Sequence, residues 1–400
     1  MAVSATLAAH QVVEERRRAG LPVLPMSFGQ AGVPVHPLLA EALAAAAGRT
    51  AYGPVAGDPA LREAAAGYWT RRGLPTDPEQ VLCGPGSKAL LYASLLAVDG
   101  DVLLPRPSWV SYAQQVALLG RSPVLLPTRP GEGGVVDPDT VRPGARAMVL
   151  TLPDNPTGRL ATPATVRAVC AAAREHDLVM ISDEIYRDLV YADEFVSPAE
   201  LAPERTIVTT GLSKSLALGG WRIGVARFPA GPLLDTALSV ASELWSCPAV
   251  PVQAAAALAF SEPPALRSYV DSARRLYEKV NIEVANRFAA AGADVATPQA
   301  AFYSYPDLAP HRALLADRHD VHTGAGLAEL LLSRHGVAVL PGVEFGEPAS
   351  SLRVRVATGQ LTGETDAQRR EALAAADPLA LPWLAAALDQ LTNALTTVLR

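Results

Sequence analysis

Between residues 81 and 228, short apolar runs alternate with longer stretches that have helical or turn character. The seven runs are Val81–Cys83, Val102–Leu104, Val124–Leu126, Ala147–Leu152, Leu178–Ile181, Ile207–Thr209 and Ile223–Phe228. Most are separated by roughly 20 to 30 residues, the interval of a strand–helix–strand crossover. The pattern predicts an α/β fold with a mainly parallel, seven-stranded sheet buried between helices. The last two runs lie closer together, which allows an antiparallel pair there.

The pattern changes after Pro251 to long helical stretches. Helices are predicted over 251–260 and from 264 to about 291, the second with apolar residues at helical spacing. Strand-like runs at 302–305, 337–340 and 352–356 surround a helix at 326–334, and an amphipathic helix closes the chain. We therefore expect three parts: a segment over 1–49 that belongs to a small domain and carries a Gly/Pro loop at 28–37, a large domain over 50–285, and a small α+β domain over 286–400.

Composition limits the class of protein. The chain has 400 residues, of which 50% are hydrophobic and 18% charged, enough for a large core. Its net charge is −6 with no basic cluster, so we expect no nucleic-acid partner. No apolar run reaches about 18 residues, so neither a signal peptide nor a membrane span is expected. The 3 scattered cysteines fit neither disulfides nor a metal site and indicate a reducing cytoplasm.

A lysine stands among small and hydroxyl residues directly after the sixth apolar run. This stretch runs from Gly211 to Gly224 and contains Lys214 and, eight positions on, Arg222. A lysine at the mouth of a buried strand is costly to desolvate, so the pKa of its amine is expected to fall toward neutrality. A neutral amine can attack a carbonyl and form a Schiff base. The alternative is a surface loop with a solvated lysine and arginine, which this short motif does not exclude.

Two earlier stretches also follow strands. Gly84-Pro-Gly-Ser-Lys88 precedes an apolar helix whose first N–H groups could cradle a phosphate, although a tight turn with a serine cap is the alternative. The order of residues is not that of a Walker loop. Trp109 follows the second strand, where its indole could lie against a planar heteroaromatic ring or pack as ordinary core.

Polar residues end the fourth and fifth strands. Asn155 lies in a Pro/Gly turn, where its amide can donate to a ligand oxygen, although a bare turn has the same sequence. Asp183 finishes an apolar run, a place on the crevice side of an open α/β sheet where ligands bind. Its carboxylate would stay ionised only beside a cation or a strong donor. Tyr186, three residues later, could point to the same site.

Two arginines alternate with apolar residues near the end of the chain. In Leu352-Arg-Val-Arg-Val356, Arg353 and Arg355 share one face of the expected strand. A guanidinium can give two parallel hydrogen bonds to a carboxylate. The alternative is solvated arginines on a half-exposed strand, which we expect for one of the two.

These pieces follow one another in one order. They are Tyr52 with Gly57 and Leu61-Arg62, Gly86-Ser-Lys88, Trp109, Asn155-Pro-Thr-Gly158, Ser182-Asp-Glu-Ile-Tyr186, Ser213-Lys214, Gly220-Trp-Arg-Ile-Gly224 and Arg353. The array resembles the class I/II aminotransferases of the aspartate aminotransferase superfamily, fold type I enzymes that depend on pyridoxal 5′-phosphate (PLP). It covers about residues 28 to 358. Each motif is weak alone, but their shared order makes a chance match very improbable.

The resemblance implies a role for each residue. The implied catalytic residues are Lys214, Asp183 and Tyr186. The implied cofactor-binding residues are Gly86, Ser87, Lys88, Trp109, Asn155, Asp183, Tyr186, Ser213, Lys214, Arg222 and Tyr52, the last from the other subunit of a homodimer. The implied substrate-binding residues are Arg353, Gly32 and Asn155, and no metal site is implied. The large domain would be the PLP-binding domain, and the 28–37 loop would contact substrate.

Within this set, Lys214 would hold PLP as a Schiff base and serve as acid and base at the substrate Cα, while Asp183 would pair with the pyridine nitrogen. Trp109 would stack on the ring. Arg353 would bind the substrate α-carboxylate, with the backbone of Gly32 on the other side. This grip would turn the Cα–H bond perpendicular to the ring, which favours deprotonation over decarboxylation.

Two stretches depart from the family pattern. Many relatives have a serine three residues before the lysine, where this chain has Gly211, so Thr209, Thr210 or Ser213 is expected to take over the phosphate contact. The 28–37 loop lacks the usual Gly-Glu-Pro-Asp-Phe type of sequence.

We expect ping-pong transfer of an amino group from an L-amino acid to a 2-oxo acid. The alternatives are another PLP reaction, such as β- or γ-elimination or replacement, cyclisation or carbon–carbon bond formation, and a PLP-sensing transcription regulator. The regulator is disfavoured because only about 30 residues precede the matched region, and they carry no DNA-binding pattern.

Overall fold

The computed structural model describes residues 4–191 and 194–399, with Ala5 described by its backbone alone. The α-helices are α1 (Ala5–Arg18), α2 (Pro37–Ala46), α3 (Pro59–Thr70), α4 (Ser87–Leu96), α5 (Val110–Leu118), α6 (Pro163–Glu175), α7 (Pro198–Leu201), α8 (Pro232–Leu244), α9 (Val250–Ser261), α10 (Pro264–Ala290), α11 (Arg312–His319), α12 (Gly324–His335), α13 (Asp366–Ala374) and α14 (Pro382–Leu399). The strands are β1 (Leu24–Pro25), β2 (Val81–Gly84), β3 (Asp101–Arg106), β4 (Pro123–Pro127), β5 (Ala145–Thr151), β6 (Val179–Asp183), β7 (Thr206–Gly211), β8 (Gly224–Arg227), β9 (Tyr303–Ser304), β10 (Val337–Ala338), β11 (Leu340–Pro341) and β12 (Val354–Ala357).

The strands β2 to β8 form one sheet in the order β2-β8-β7-β6-β5-β3-β4. β4, β3, β5, β6 and β7 pair in parallel, whereas β8 is antiparallel to both β7 and β2. The chain moves outward from β3 to β4, returns to the other side of β3 as β5, and then continues to β6 and β7. The direction of winding therefore reverses between β3 and β5.

The sheet is buried on both faces. In β5, Met148 and Leu150 pack with α6, while Ala147 and Val149 pack with α4 and α8 in a separate apolar cluster. This alternation follows from the two-residue period of a strand, and helices on both faces are what a parallel sheet requires. A third cluster joins the β2 edge to α3 and α9.

Prolines and short polar caps fix where several helices begin. Proline occupies the first turn of α2, α3, α6, α8 and α10, where its missing N–H leaves no intrahelical hydrogen bond unmade. Asp58 caps α3 by accepting from the Ala60 N–H, and Thr162 caps α6 by accepting from the Thr165 N–H. The many prolines of this chain thus set helix starts within an otherwise apolar sequence.

The remaining core lies around α10, α12 and α14. It includes residues from the amino-terminal segment, such as Leu24 and Val33, and from β12, such as Val354 and Val356. β12 pairs with β11 and β9 in a small antiparallel sheet, while β1 pairs with β10. The long helix α10 contributes Leu266 to the cluster beside α3 and its later residues to this one.

The predicted α/β fold and its seven-stranded sheet are confirmed, including the antiparallel pair of β7 and β8. The predicted strand over 337–340 was wrong in extent, because the chain breaks there into β10, which pairs with β1, and β11, which pairs with β12. The domain boundaries stay predictions, and their outer limits at 1 and 400 lie outside the described residues.

Within residues 4–191 and 194–399, no helix combines the length and apolar character that crossing a bilayer requires. In the same residues, no three His, Cys, Asp or Glu side chains gather as metal ligands would.

Candidate active site

A cavity of about 590 Å³ opens where the parallel strands end. Thr151 ends β5, Asp183 ends β6 and Lys214 follows β7, and all three line the cavity. Trp109, which follows β3, and Thr151 place one side of the cavity where the winding of the sheet reverses, the usual ligand site of open α/β sheets. The opposite wall comes from α1, the loop after β1 and the small sheet, through Ser4, Thr6, Leu7, Phe28, Gly29, Gln30, Tyr303 and Arg355.

Asp183 is held at the floor of the cavity by two donors. The Tyr112 hydroxyl donates to its Oδ2 at 2.9 Å, and the Ile185 N–H donates to its Oδ1 at 3.3 Å. Burial raises the pKa of Asp183 to about 6, an effect that these donors and the charge of Lys214 oppose. The carboxyl group is therefore mostly ionised at pH 7, although it lies almost entirely out of solvent.

Lys214 approaches the same cavity from the loop after β7. Its Nζ donates to the Gly29 carbonyl oxygen at 2.5 Å. Burial, followed by the positive charge of Arg355, lowers the pKa of Lys214 to about 8, while the charge of Asp183 acts in the opposite direction. This agrees with the lowered pKa expected from the sequence.

Tyr186 lies beside the lysine and is paired with a second tyrosine. The hydroxyls of Tyr186 and Tyr303 are 2.8 Å apart, and Lys214 Nζ lies 5.7 Å from the centre of the Tyr186 ring. Burial raises the pKa of Tyr186 well above its ordinary value, so its hydroxyl keeps its proton at neutral pH. Asn155 lines the cavity nearby and accepts a hydrogen bond from Arg355.

The start of α4 faces the cavity with its N–H groups free of a side-chain cap. Its N-cap is Gly86, with a φ of 90°, and the next residues, Ser87 and Lys88, line the cavity. A Cβ at Gly86 would lie 2.3 Å from Nη2 of Arg222, so a larger residue would displace that guanidinium, and the positive φ also favours glycine. Lys88 Nζ lies 4.9 Å from the Trp109 ring centre, and burial, with a further contribution from Arg222, lowers the pKa of Lys88.

Gly211, where relatives often have serine, is tightly enclosed. A Cβ there would lie 2.9 Å from the Ile223 carbonyl oxygen, so a serine would require the backbone to shift. Of the three substitutes expected from the sequence, only Ser213 lines the cavity. Thr210 instead donates to the Glu184 carbonyl oxygen at 3.4 Å, and Thr209 Oγ1 is buried without a partner among the described residues.

Arg353 is the residue that the resemblance assigned to the substrate carboxylate. Arg353 lies outside the cavity, where it forms ion pairs with Asp307 at 3.1 Å and Glu347 at 2.9 Å. Arg355, two residues later, is 1% exposed and lines the cavity. Its Nη1 donates to Asn155 Oδ1 at 3.2 Å, and its Nη2 donates to the Ser27 carbonyl oxygen. The expectation that one of the two arginines is partly solvated holds for Arg353.

The resemblance also assigned the backbone of Gly32 to the substrate. Its N–H donates to the Tyr277 hydroxyl at 3.0 Å, and its carbonyl oxygen accepts from Thr362 Oγ1 at 2.8 Å. Both backbone groups are thus engaged away from the cavity. The backbone that borders the cavity belongs to Gly29 and Gln30, earlier in the same loop.

The other expected residues divide between the cavity and the surface. Trp109, Ser213 and Arg222 line the cavity. Tyr52 does not line it and is 91% exposed. Sequence reasoning missed Tyr112 and Tyr303, because a tyrosine in an apolar helix or strand is typical of ordinary core. It also missed the contribution of α1, whose residues carry no chemical signal of their own.

Residues 26–373 match the family described as aminotransferase class I and II. A probable aspartate/prephenate aminotransferase of Thermus aquaticus is 35% identical over 370 residues, covering 90% of this chain and 94% of that protein. An aspartate aminotransferase of Geobacillus stearothermophilus is 33% identical over 381 residues, covering 92% and 95%.

The fold gives the same result. The solved structure of the Thermus thermophilus aspartate aminotransferase with maleate superposes with a TM-score of 0.85 at 31% identity, covering 98% of this chain and 97% of that one. The resemblance drawn from the motifs is thereby confirmed over most of the chain. The protein belongs to the class I and II aminotransferases, which transfer an amino group between an amino acid and a 2-oxo acid.

Proposed function

We propose that this aminotransferase works with pyridoxal 5′-phosphate held in the cavity by Lys214. One feature of the cavity fits the phosphate of that cofactor, and a second fits the carboxylate of a substrate. The uncapped start of α4, with glycine favoured at position 86 beside Arg222, is suited to a phosphate group. On the other side, Nε of Arg355 is buried without a partner among the described residues, so a carboxylate can still be accepted there.

When bound, PLP supplies an aldehyde that condenses with amino groups and a ring that accepts the electrons of a broken Cα–H bond. Lys214 would attach it and move the proton at the substrate Cα. With a pKa of about 8, the neutral fraction of its amine at pH 7 is about one tenth, roughly 300-fold more than for an ordinary lysine. The lowered pKa therefore makes the lysine both a nucleophile and a base.

The floor and sides of the cavity would hold the ring. Asp183, mostly ionised at neutral pH, would keep a proton on the ring nitrogen. Trp109 would lie against the ring face, and the hydroxyl of Tyr186 and the amide of Asn155 would bind the phenolic oxygen. Ser87, Lys88, Ser213 and Arg222 would surround the phosphate, with Gly86 leaving the space that Arg222 needs.

Arg355 would bind the α-carboxylate of the substrate in place of Arg353. It is a fully buried cation whose hydrogen-bond acceptors are a neutral amide and a backbone carbonyl, so a carboxylate would neutralise a charge that is costly to bury. Because Arg355 and Lys214 face one cavity, both the amino acid and the 2-oxo acid would use the same site in turn, in a ping-pong order. This convergence of Lys214, Asp183 and Arg355 carries the proposal.

We further propose that the enzyme is a homodimer in which Tyr52 reaches the phosphate of the neighbouring subunit. Its 91% exposure and its position outside its own cavity support this arrangement. A cytoplasmic location is supported by the three cysteines, all of which are unpaired.

The attachment of PLP can be tested by chemical trapping, because the chain contains only Lys88, Lys214 and Lys279. The protein is incubated with PLP, reduced with borohydride and digested, and the modified peptide is identified by mass spectrometry. We expect a stoichiometric adduct at Lys214 and none in Lys214→Ala, whose amino transfer should fall by at least about 1,000-fold. Lys279→Ala, on the surface, is the matched control. An adduct at Lys88 alone, or wild-type turnover by Lys214→Ala, would contradict the proposal.

The reaction type is tested in single half-reactions. Each candidate amino acid is mixed with the PLP-loaded enzyme, and the absorbance of the cofactor and the release of ammonia are followed together. L-Aspartate is the first donor to test, because relatives are named for it. Loss of the aldehyde form with a stoichiometric 2-oxo acid and no ammonia supports transfer, whereas release of ammonia without amino transfer would support elimination instead.

A further inference from the structure

A directed chain of hydrogen bonds runs behind Asp183. Thr151 Oγ1 donates to the Tyr112 hydroxyl oxygen at 2.8 Å, and the Tyr112 hydroxyl donates to Asp183 Oδ2 at 2.9 Å. Thr151 and Tyr112 are each 1% exposed. Since the hydrogen bond from Thr151 occupies a lone pair on the Tyr112 oxygen, the tyrosine proton is directed toward the carboxylate.

The two elements that carry this chain are held firmly. Thr151 is the last residue of β5 and pairs in register with Asp183 on β6. Tyr112 lies in the first turn of α5, with its ring at 5.2 Å from the Trp109 ring in an edge-to-face arrangement. The sheet and the helix therefore fix the Tyr112 hydroxyl relative to Asp183. This fixed hydrogen bond limits rotation of the carboxylate.

We propose that Tyr112, oriented by Thr151, is a positioning residue that keeps Asp183 ionised and its free lone pairs directed into the cavity. This inference rests on the proposed function, because it gives Asp183 the task of holding a proton on the cofactor ring. It assigns no contact with substrate to Tyr112.

The electrostatic environment of Asp183 makes this contact important. The groups that act on the carboxylate are the burial around it, the Tyr112 hydroxyl, the Ile185 N–H, the positive charge of Lys214 and the negative charge of Glu184. Tyr186, Tyr303 and Arg355 also lie in the same cavity. With its pKa already raised to about 6, Asp183 is close to losing its charge at the pH of a cell. A hydrogen-bond donor to the ionised form typically lowers a pKa by about one unit or more. Loss of the Tyr112 donor would therefore raise the pKa of Asp183 to near neutral pH.

The first test uses the protein free of cofactor. The pKa of Asp183 is measured by carbon-13 NMR of labelled aspartate carboxyls, with the signal assigned through Asp183→Asn. In Tyr112→Phe, which keeps the ring and removes the hydroxyl, we expect this pKa to rise by about one unit or more. Thr151→Val should give a smaller rise, since Tyr112 keeps its hydroxyl but loses its orientation.

The matched control is Tyr68→Phe. Tyr68 is another buried tyrosine whose hydroxyl donates to a carboxylate, Asp188, at 3.1 Å, but it lies outside the catalytic cavity. This variant should leave the titration of Asp183 unchanged. If Tyr112→Phe fails to fold, the titration of Asp183 in Thr151→Val decides whether the Tyr112 hydroxyl controls the pKa of Asp183. An Asp183 pKa that stays within about 0.3 units of the wild-type value in the folded variants overturns the inference.

The second test uses the PLP-loaded enzyme. In Tyr112→Phe, the acid limb of the kcat profile should move to higher pH by a similar amount, with activity recovered at alkaline pH and the KM of the amino donor little changed. A purely structural role would instead lower kcat equally at every pH, and this result would contradict the proposal. The titration of the cofactor-free protein tests the role of Tyr112 even if PLP does not bind. Failure of this inference can therefore be distinguished from failure of the proposed function.

Discussion

Arg355 shows what a single buried side chain contributes to this site. Its guanidinium donates to Asn155 and lies near two aromatic rings, with its central carbon 5.0 Å from the Tyr303 ring centre and 5.1 Å from the Phe345 ring centre. Aromatic faces attract a cation, but they do not replace a negatively charged partner. Burial accordingly lowers the pKa of Arg355. The residue is therefore prepared for an incoming carboxylate.

The neighbouring arginines provide a matched pair of variants. Arg355→Lys keeps the charge but loses the planar pair of donors, so we expect kcat/KM to fall by roughly 30-fold or more for amino donors and oxo-acid acceptors alike. Arg353→Lys should stay within about twofold, because its ion pairs are partly exposed. Both variants are compared with the wild type by steady-state kinetics and by the inhibition constant of maleate, a non-reacting dicarboxylate. The opposite ranking would restore Arg353 as the carboxylate ligand.

These two residues also show how far the sequence could be interpreted. The alternation Arg-Val-Arg placed both cations on one face of a strand, but it could not choose between them. The choice depends on Asp307 and Glu347, which hold Arg353 outside the cavity, and on Asn155, which contacts Arg355 from a distant part of the chain. Tertiary partners of this kind leave no mark on local periodicity.

At the scale of elements, the turn after β5 carries Asn155, which lines the cavity, next to Asp154, a carboxyl group that is costly to bury. Asp154 is 0% exposed, and its Oδ2 accepts from Thr157 Oγ1 at 2.5 Å, while its Oδ1 has no partner among the described residues. Burial raises the pKa of Asp154 to about 7, although the Thr157 and Asn155 hydrogen bonds oppose it. The turn that presents Asn155 to the cavity is thus most stable when the adjacent acid carries a proton.

This predicts a pH-dependent cost to stability. The folded-state pKa of Asp154 lies above the unfolded value, so the folded protein binds more protons between about pH 4 and 7, and stability falls as pH rises through that window. The full effect is about 4 kcal/mol. The free energy of unfolding is measured with denaturant for the cofactor-free protein. For Asp154→Asn, this free energy should rise relative to that of the wild type by up to this amount between about pH 4.5 and 8. Asp139→Asn, at an exposed carboxylate, serves as control, and parallel profiles for Asp154→Asn and wild type would refute the prediction.

Elements were predicted from sequence more securely than the loops between them. The apolar runs of the sheet are short, but they recur at the spacing of strand–helix–strand crossovers and are buried on both faces, so their pattern could be identified without tertiary context. The loop at 28–37 has no such pattern. Gly32 faces Tyr277 and Thr362 rather than the cavity because of partners more than about 200 residues away, which no local signal could specify.

At the scale of the whole molecule, the cavity is enclosed by residues that lie far apart in the chain, from Ser4 to Arg355. α10 connects the apolar cluster beside α3 to the core around α12 and α14, so the sheet side and the Arg355 side of the cavity share one long helix. The proposed homodimer adds a further wall through Tyr52. We expect the protein to sediment at twice the mass of its 41.8 kDa chain.

Mixed dimers can test whether Tyr52 acts across the interface. Tyr52→Ala should weaken PLP binding in the pure variant, and Lys214→Ala should abolish turnover. A dimer with one chain of each kind would contain one complete site, made of Lys214 from the first chain and Tyr52 from the second, and should regain wild-type cofactor affinity at that site. Unmixed variants are the controls. If the mixed dimer binds PLP no better than Tyr52→Ala alone, Tyr52 does not act across the interface.

The amino-terminal helix has a practical consequence for anyone who purifies this enzyme. Ser4, Thr6 and Leu7 form part of the cavity wall, and His10 stacks on Phe28 at 4.5 Å between ring centres. An affinity tag fused at the amino terminus would therefore be attached to a helix that forms part of the cavity wall. Donor preferences are therefore better measured with a tag after α14, because that helix does not border the cavity.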